Sequence, residues 1–140
     1  MVKLKLFDAK AYSVNLKCTI QNQGRLGFTD DTAEALGLKS GEVKAIAIAE
    51  DETTPGDLYM IIGDGLGDEA FRVMRAGDYY YLPTRNLFST MGLDYQNQTI
   101  MFDMVRSQEN DFDNLRVYRM NKRVLPRKAA SDKPQKGGRE

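Results

Sequence analysis

Apolar and polar residues alternate along much of this chain, and that pattern predicts β-strands. Between Ala11 and Gln21 every second residue is apolar, from Tyr12 to Ile20, and the residues between them are polar. Such alternation places one face of a strand against a core and the other toward water. Shorter runs bounded by turn-forming residues predict further strands at residues 25–28, 43–49, 58–62, 70–74, 79–82, 100–104 and 115–120.

Two short helices interrupt these strands. The first begins at residues 29–31, Thr-Asp-Asp, whose side-chain oxygens suit an N-cap. It ends at Leu36, because Gly37 favours the left-handed conformation that follows a helix. The second helix follows Pro83, which suits a first helical turn, and ends at Gly92. One face of the second helix carries Leu87, Phe88 and Met91.

The order of these elements repeats. Residues 11–62 and residues 70–120 both read strand, strand, short helix, strand, strand, and the segment 36–38 aligns with 91–93 at the two helix ends. An internal repeat of this kind changes the whole fold prediction. We therefore expect residues 1–123 to form one domain, a mainly β (α+β) unit with two short helices that is built from duplicated ββαββ halves.

Charge is distributed unevenly along the chain, although its sum is zero. Residues 1–113 carry 11 Lys and Arg against 18 Asp and Glu, whereas residues 114–140 carry 9 against 2. An acidic body with a basic appendage is typical of chains that contact phosphates. Residues 124–140 contain few apolar side chains to bury, so we expect a disordered basic tail.

Composition excludes several classes of function. The chain has no histidine and one cysteine, Cys18, which rules out an intrachain disulfide, a typical zinc site and a Ser-His or Cys-His hydrolase. We expect a buried Cys18, no enzymatic activity, no cofactor or metal, and no small-molecule substrate. No apolar run reaches the length of a membrane span, which predicts a cytoplasmic protein without membrane contact.

One segment carries a family resemblance. Residues 24–43 read GRLGFTDDTAEALGLKSGEV, which resembles the SpoVT/AbrB-like swapped-hairpin family in its Gly-Arg step, its Leu-Gly-Leu helix end and its Lys-x-Gly turn. Residues 79–104 match the same pattern less closely, through Leu82-Pro83 and Met91-Gly92-Leu93. Two copies in one chain are similar to MraZ-type proteins.

The resemblance implies a dimer-like barrel of interlocked hairpins that binds duplex DNA. It carries Arg25 over as a DNA-contacting residue, whereas the helix positions at which the family often has Lys or Arg are here Asp30, Asp31, Ala33 and Ala35. Together with the charge distribution it predicts a homo-oligomeric, DNA-binding regulatory protein. The expected nucleic-acid contacts are Arg25, Arg72, Arg75, Arg85, Lys122, Arg123, Arg127 and Lys128.

Two alternatives remain open. The acidic body and the acidic start of the first helix favour a protein-interaction or oligomerisation module without nucleic acid. The three tyrosines at residues 79–81, near Arg72 and Arg75, instead indicate a base-stacking surface on a sheet. In that case the strands beginning at residues 43, 58, 70 and 79 and the second helix would form the ββββα unit of single-strand binders of the PC4 and PUR type.

Overall fold

The structure is a computed structural model that describes residues 2–7, 9, 15–63, 65–107 and 115–126. Of these residues 45% lie in strands and 15% in helices, which confirms a mainly β protein with two short α-helices. The elements are β1 (Leu16–Ile20), β2 (Leu26–Phe28), α1 (Asp30–Leu36), β3 (Ala45–Glu50), β4 (Leu58–Ile62), a 3₁₀ turn (Gly67–Glu69), β5 (Ala70–Arg72), β6 (Met74–Ala76), β7 (Tyr79–Leu82), α2 (Arg85–Thr90), β8 (Gln98–Arg106) and β9 (Arg116–Pro126).

The described strands form one antiparallel sheet in which the two halves of the chain exchange strands. The strand order is β5-β3-β4-β9-β8-β1-β2-β7-β6. β2 pairs with β7 and β4 with β9, which are the equivalent strands of the two repeats. β1 of the first half pairs with β8 of the second, and β5 of the second half pairs with β3 of the first. This exchange is the predicted swapped-hairpin arrangement.

The sheet curves into a nearly closed barrel. β5 and β6 lie at opposite ends of the strand order, yet Val73 is the single residue between them. The Val73 amide donates to the carbonyl oxygen of Lys44 at 2.8 Å, next to the β3–β5 pairing. The strand from Ala70 to Ala76 therefore joins both ends of the sheet. The sequence predicted one strand over residues 70–74, and the barrel closure bends it at Val73.

The inner face of the barrel is the hydrophobic core. Leu16, Cys18 and Ile20 are buried there, as the alternation in β1 predicts. Burial raises the pKa of the Cys18 thiol far above its ordinary range, and the nearby carboxylate of Asp103 adds to the shift. Leu36 of α1 and Phe88 of α2 close the core from the helices.

The ends of α1 follow the sequence prediction. The Thr29 hydroxyl accepts a hydrogen bond from the Thr32 amide, so Thr29 is the N-cap. Gly37 follows Leu36 with φ of 90°, and the amide of Leu38 donates to the carbonyl of Ala33 at 2.9 Å. A glycine fits this left-handed position because it has no Cβ to collide with the backbone.

The last strand is longer than the sequence predicted. β9 continues past Met120 to Pro126, and Val124 lies opposite Ile100 of β8. The tail predicted over 124–140 therefore begins no earlier than residue 127, because pairing with β8 holds residues 124–126 in the sheet. Residues 127–140 and the predicted strand residues 11–14 lie outside the described residues.

The four strands of the ββββα alternative are neighbours around the barrel, because β3 pairs with β4 and β5, and β6 pairs with β7. β4 also pairs with β9, and β7 with β2, so these strands are part of a larger sheet that both halves of the chain share. Within the described part of the chain, no helix has the length and apolar character needed to span a membrane.

Candidate nucleic-acid interface

The backbone around Arg25 is fixed by hydrogen bonds from both halves of the barrel. The β1–β2 turn is closed by the Gln21 amide, which donates to the Arg25 carbonyl at 2.8 Å. The hydroxyl of Thr84, the fully buried residue before α2, accepts from the Leu26 amide at 3.0 Å and donates to the Gly24 carbonyl at 3.0 Å. Both neighbours of Arg25 are thus bonded to one side chain of the second half.

The Arg25 side chain lies over an aromatic ring. Its guanidinium carbon is 4.4 Å from the centroid of the Tyr81 ring, a cation–π contact that orients the charge along the outside of the sheet. Its Nε is buried and has no hydrogen-bond partner. A cleft of about 390 Å³ lies beside it, lined chiefly by polar side chains: Thr19, Gln21, Asn22, Gln23 and Thr99.

Two of the three consecutive tyrosines share the outer face with Arg25. The rings of Tyr79 and Tyr81 are stacked, with centroids 6.2 Å apart and planes at 22°. Tyr80 points to the other side of β7 and packs against the core. This division follows from the alternation of side chains along a strand. Burial raises the pKa of Tyr79 above its ordinary value.

Further cations lie on the same outer face. Thr19 lies opposite both Met101 and Gly27, Met101 lies opposite Arg123, and Gly27 lies opposite Tyr81. This row crosses five neighbouring strands, about 19 Å at the usual strand spacing. We call this surface the basic face, and it carries Lys17, Arg25, Tyr79, Tyr81, Arg119 and Arg123.

Most of the charge on the basic face is positive. Asp103 is its one acidic strand residue within the described pairing, and it forms an ion pair with Arg123 at 2.6 Å. Arg119 pairs with Asp57 of the β3–β4 turn at 3.6 Å. Among the described residues, neither Lys17 nor Arg25 forms an ion pair. Two cations therefore remain available to a ligand.

The remaining predicted contacts are spread around the barrel. Arg85 begins α2 next to Gly24, where a Cβ would lie 2.9 Å from the Arg85 Cα, so Arg25 and Arg85 are brought together. Arg72 is exposed at the end of β5. Arg75 is tied to its own turn, since its Nε donates to the Gly77 carbonyl at 2.6 Å and its guanidinium pairs with Asp78.

On β9 the two predicted cations point to opposite faces. Arg123 is on the basic face, whereas Lys122 lies opposite Phe102 and lines a separate cleft of about 340 Å³ with Met91 and Leu93. Arg127 and Lys128 lie outside the described residues. The structure thus brings Arg25 and Arg123 to the basic face, with Arg85 next to the turn that carries Arg25, and does not bring Lys122 or Arg75 to it.

Lys17, Thr84 and the pairing of Arg25 with Tyr81 were missed by the sequence interpretation. The sequence predicted the tyrosines beside Arg72 and Arg75, and Arg75 does lie opposite Tyr80, with its guanidinium carbon 5.7 Å from the ring centroid. The exchange of strands also puts β7 beside β2, which brings Tyr81 to Arg25. The alternation in β1 already puts Lys17 on the outer face, and that signal was available.

No group of three or more Cys, Asp or Glu side chains in the described residues is arranged to hold a metal ion. Comparison of the chain with models of known protein families, with curated proteins and with solved structures gave no match.

Proposed function

We propose that this protein binds nucleic acid through the basic face and acts as a DNA-binding regulator. The observation that carries the proposal is the fixed guanidinium of Arg25, stacked on Tyr81 beside a polar cleft. Cations held next to aromatic rings and amide side chains provide both charge for phosphates and surface for sugars and bases.

Electrostatics supports this location for the contact. Phosphates are repelled by the acidic turn at residues 50–52 and by the first turn of α1, with Asp30 and Asp31. The basic face presents Lys17 and Arg25 without ion-pair partners, and the chain continues from β9 into a segment that carries further Lys and Arg. A nucleic acid following this face avoids the acidic regions. The swapped-hairpin architecture is also the one that the resemblance to AbrB-type proteins implies.

A salt titration of the full chain tests the proposal. Binding to labelled duplex and single-stranded oligonucleotides should weaken linearly with the logarithm of salt concentration, because bound cations release counterions from the phosphates. Arg25→Gln should lower affinity and reduce the slope by about 1. Lys39→Gln removes a cation that is already paired with Asp30 on α1 and serves as the control. Absence of any binding at low salt would refute the proposal.

A second candidate function is self-association, which the N-terminal segment 2–7 favours. Val2, Leu4 and Leu6 are 79% to 91% exposed and alternate with Lys3 and Lys5. The segment is assigned to no strand of the described sheet. Exposed apolar alternation of this kind is a ready template for pairing with another chain.

Sedimentation of the full chain tests this second candidate. A Leu4→Asp, Leu6→Asp double variant should shift an oligomer toward monomer without changing the melting temperature, because neither side chain packs in the core. Added salt should strengthen self-association by screening Lys3 and Lys5, the opposite of its effect on nucleic-acid binding. A full chain that sediments as a monomer at every concentration would exclude this candidate.

A further inference from the structure

Three side chains of the basic face are stacked in the order Arg25, Tyr81 and Tyr79, and we call this set the ladder. The register of β2 against β7 places Arg25 beyond Tyr81 on one side and Tyr79 on the other. One side of the Tyr81 ring is therefore covered by the guanidinium and the other faces Tyr79. Tyr79 is the last ring of the ladder, and its second face is covered by neither Arg25 nor Tyr81.

Two glycines shape the surroundings of Tyr79. Gly27 of β2 lies under the end of its side chain, since a Cβ at this position would be 1.2 Å from the Tyr79 hydroxyl oxygen. The missing Cβ lets the ring extend across β2. Gly77, in the turn before β7, has φ of 62° and no atom within 4 Å of where its Cβ would be. The turn that precedes Tyr79 therefore leaves open space at Gly77.

We infer that the Arg25–Tyr81–Tyr79 ladder takes an unpaired nucleic-acid base as its next layer, stacked on Tyr79 beside Gly77. This inference rests on the proposed function and specifies its ligand as single-stranded nucleic acid. A base within a duplex is already stacked on both sides and cannot present a free face to a tyrosine ring that lies against the sheet. A base in a single strand can do so whatever its identity, because every base has a π-face.

The neighbouring charges fit a strand that runs across the face. Lys17 lies on the outer side of β1, and Arg25 lies at the far end of the ladder from Gly77. Phosphates along a strand that runs across this face would meet these two cations. A tyrosine side chain carries no charge, so loss of the stacking contact should change the affinity by the same factor at every salt concentration.

Fluorescence anisotropy with a mixed-sequence single strand of about 12 nucleotides, a length typical of one compact binding domain, tests the inference. Tyr79→Ala should weaken binding by about 5- to 100-fold with an unchanged salt slope, whereas Tyr79→Phe should bind as wild type. Gly27→Ala should mimic Tyr79→Ala, because its methyl group displaces the ring without removing it. Tyr59→Ala, on the outer side of β4, is the matched control.

The outcomes separate the inference from the proposed function. If wild type binds neither single strands nor duplex at low salt, the proposed function fails and the inference fails with it. If wild type binds in a salt-dependent manner but Tyr79→Ala leaves the affinity unchanged, the inference alone is overturned. Equal weakening of duplex and single-strand binding by Tyr79→Ala also overturns it. Thermal melting of each variant establishes that the fold is retained.

Discussion

Thr84 offers the sharpest test of how the two halves of the barrel position Arg25. Its side chain is fully buried, and its single hydroxyl accepts from the Leu26 amide and donates to the Gly24 carbonyl, both at 3.0 Å. Thr84→Val keeps the shape and removes the hydroxyl. Both backbone groups then lose their partner in a buried setting, and each such loss costs about 1–3 kcal/mol. We expect a loss of about 2–6 kcal/mol in the free energy of unfolding.

Urea denaturation of three variants measures this effect. Thr84→Ser keeps the hydroxyl and loses one buried methyl group, so it should lose about 1 kcal/mol. Thr90→Val, at the exposed end of α2, should stay within about 0.5 kcal/mol of wild type. Thr84→Val should also weaken nucleic-acid binding more than Thr84→Ser, because the turn before Arg25 is released. A Thr84→Val protein as stable as Thr84→Ser would refute the reasoning.

Three further predictions concern α1, the core thiol and β9. Gly37→Val should lower the free energy of unfolding by about 1 kcal/mol or more, because Gly37 has a φ of 90° and the new Cβ would lie 3.3 Å from the Val43 side chain. An unchanged melting temperature would contradict this prediction. Since the pKa of Cys18 is raised in the folded state, the unfolded thiol ionises first. Stability should therefore fall as pH rises above about 8.5, by up to about 1.4 kcal/mol per pH unit, and Cys18→Val should remove that slope in urea titrations from pH 8 upward. Deleting residues 127–140 should weaken polyanion binding and leave the melting temperature nearly unchanged. Deleting residues 124–140 should lower the melting temperature by about 4 °C or more, since Val124 pairs with β8. Equal melting temperatures of the two truncated proteins would argue against a contribution of residues 124–126 to stability.

The buried face of β1 and the end of α1 could be predicted from the sequence. Alternation in β1 predicted that Leu16, Cys18 and Ile20 face the core, and the structure confirms it because the strand period of two fixes which side chains share a face. The end of α1 at Leu36 followed from Gly37 in the same way. The strands and two short helices predicted a mainly β, barrel-like fold, and the nearly closed antiparallel sheet confirms it.

What the sequence could not determine was which strand lies next to which. Arg25 and Tyr81 are far apart in the chain, and their contact exists because β2 of one half pairs with β7 of the other. The same exchange puts Thr84 under the β1–β2 turn and carries β9 along β8 to Pro126, past the predicted tail boundary. Propensity and alternation are properties of neighbouring residues, whereas strand exchange is selected by burial of both apolar faces in one core. The basic face is therefore a product of the tertiary structure.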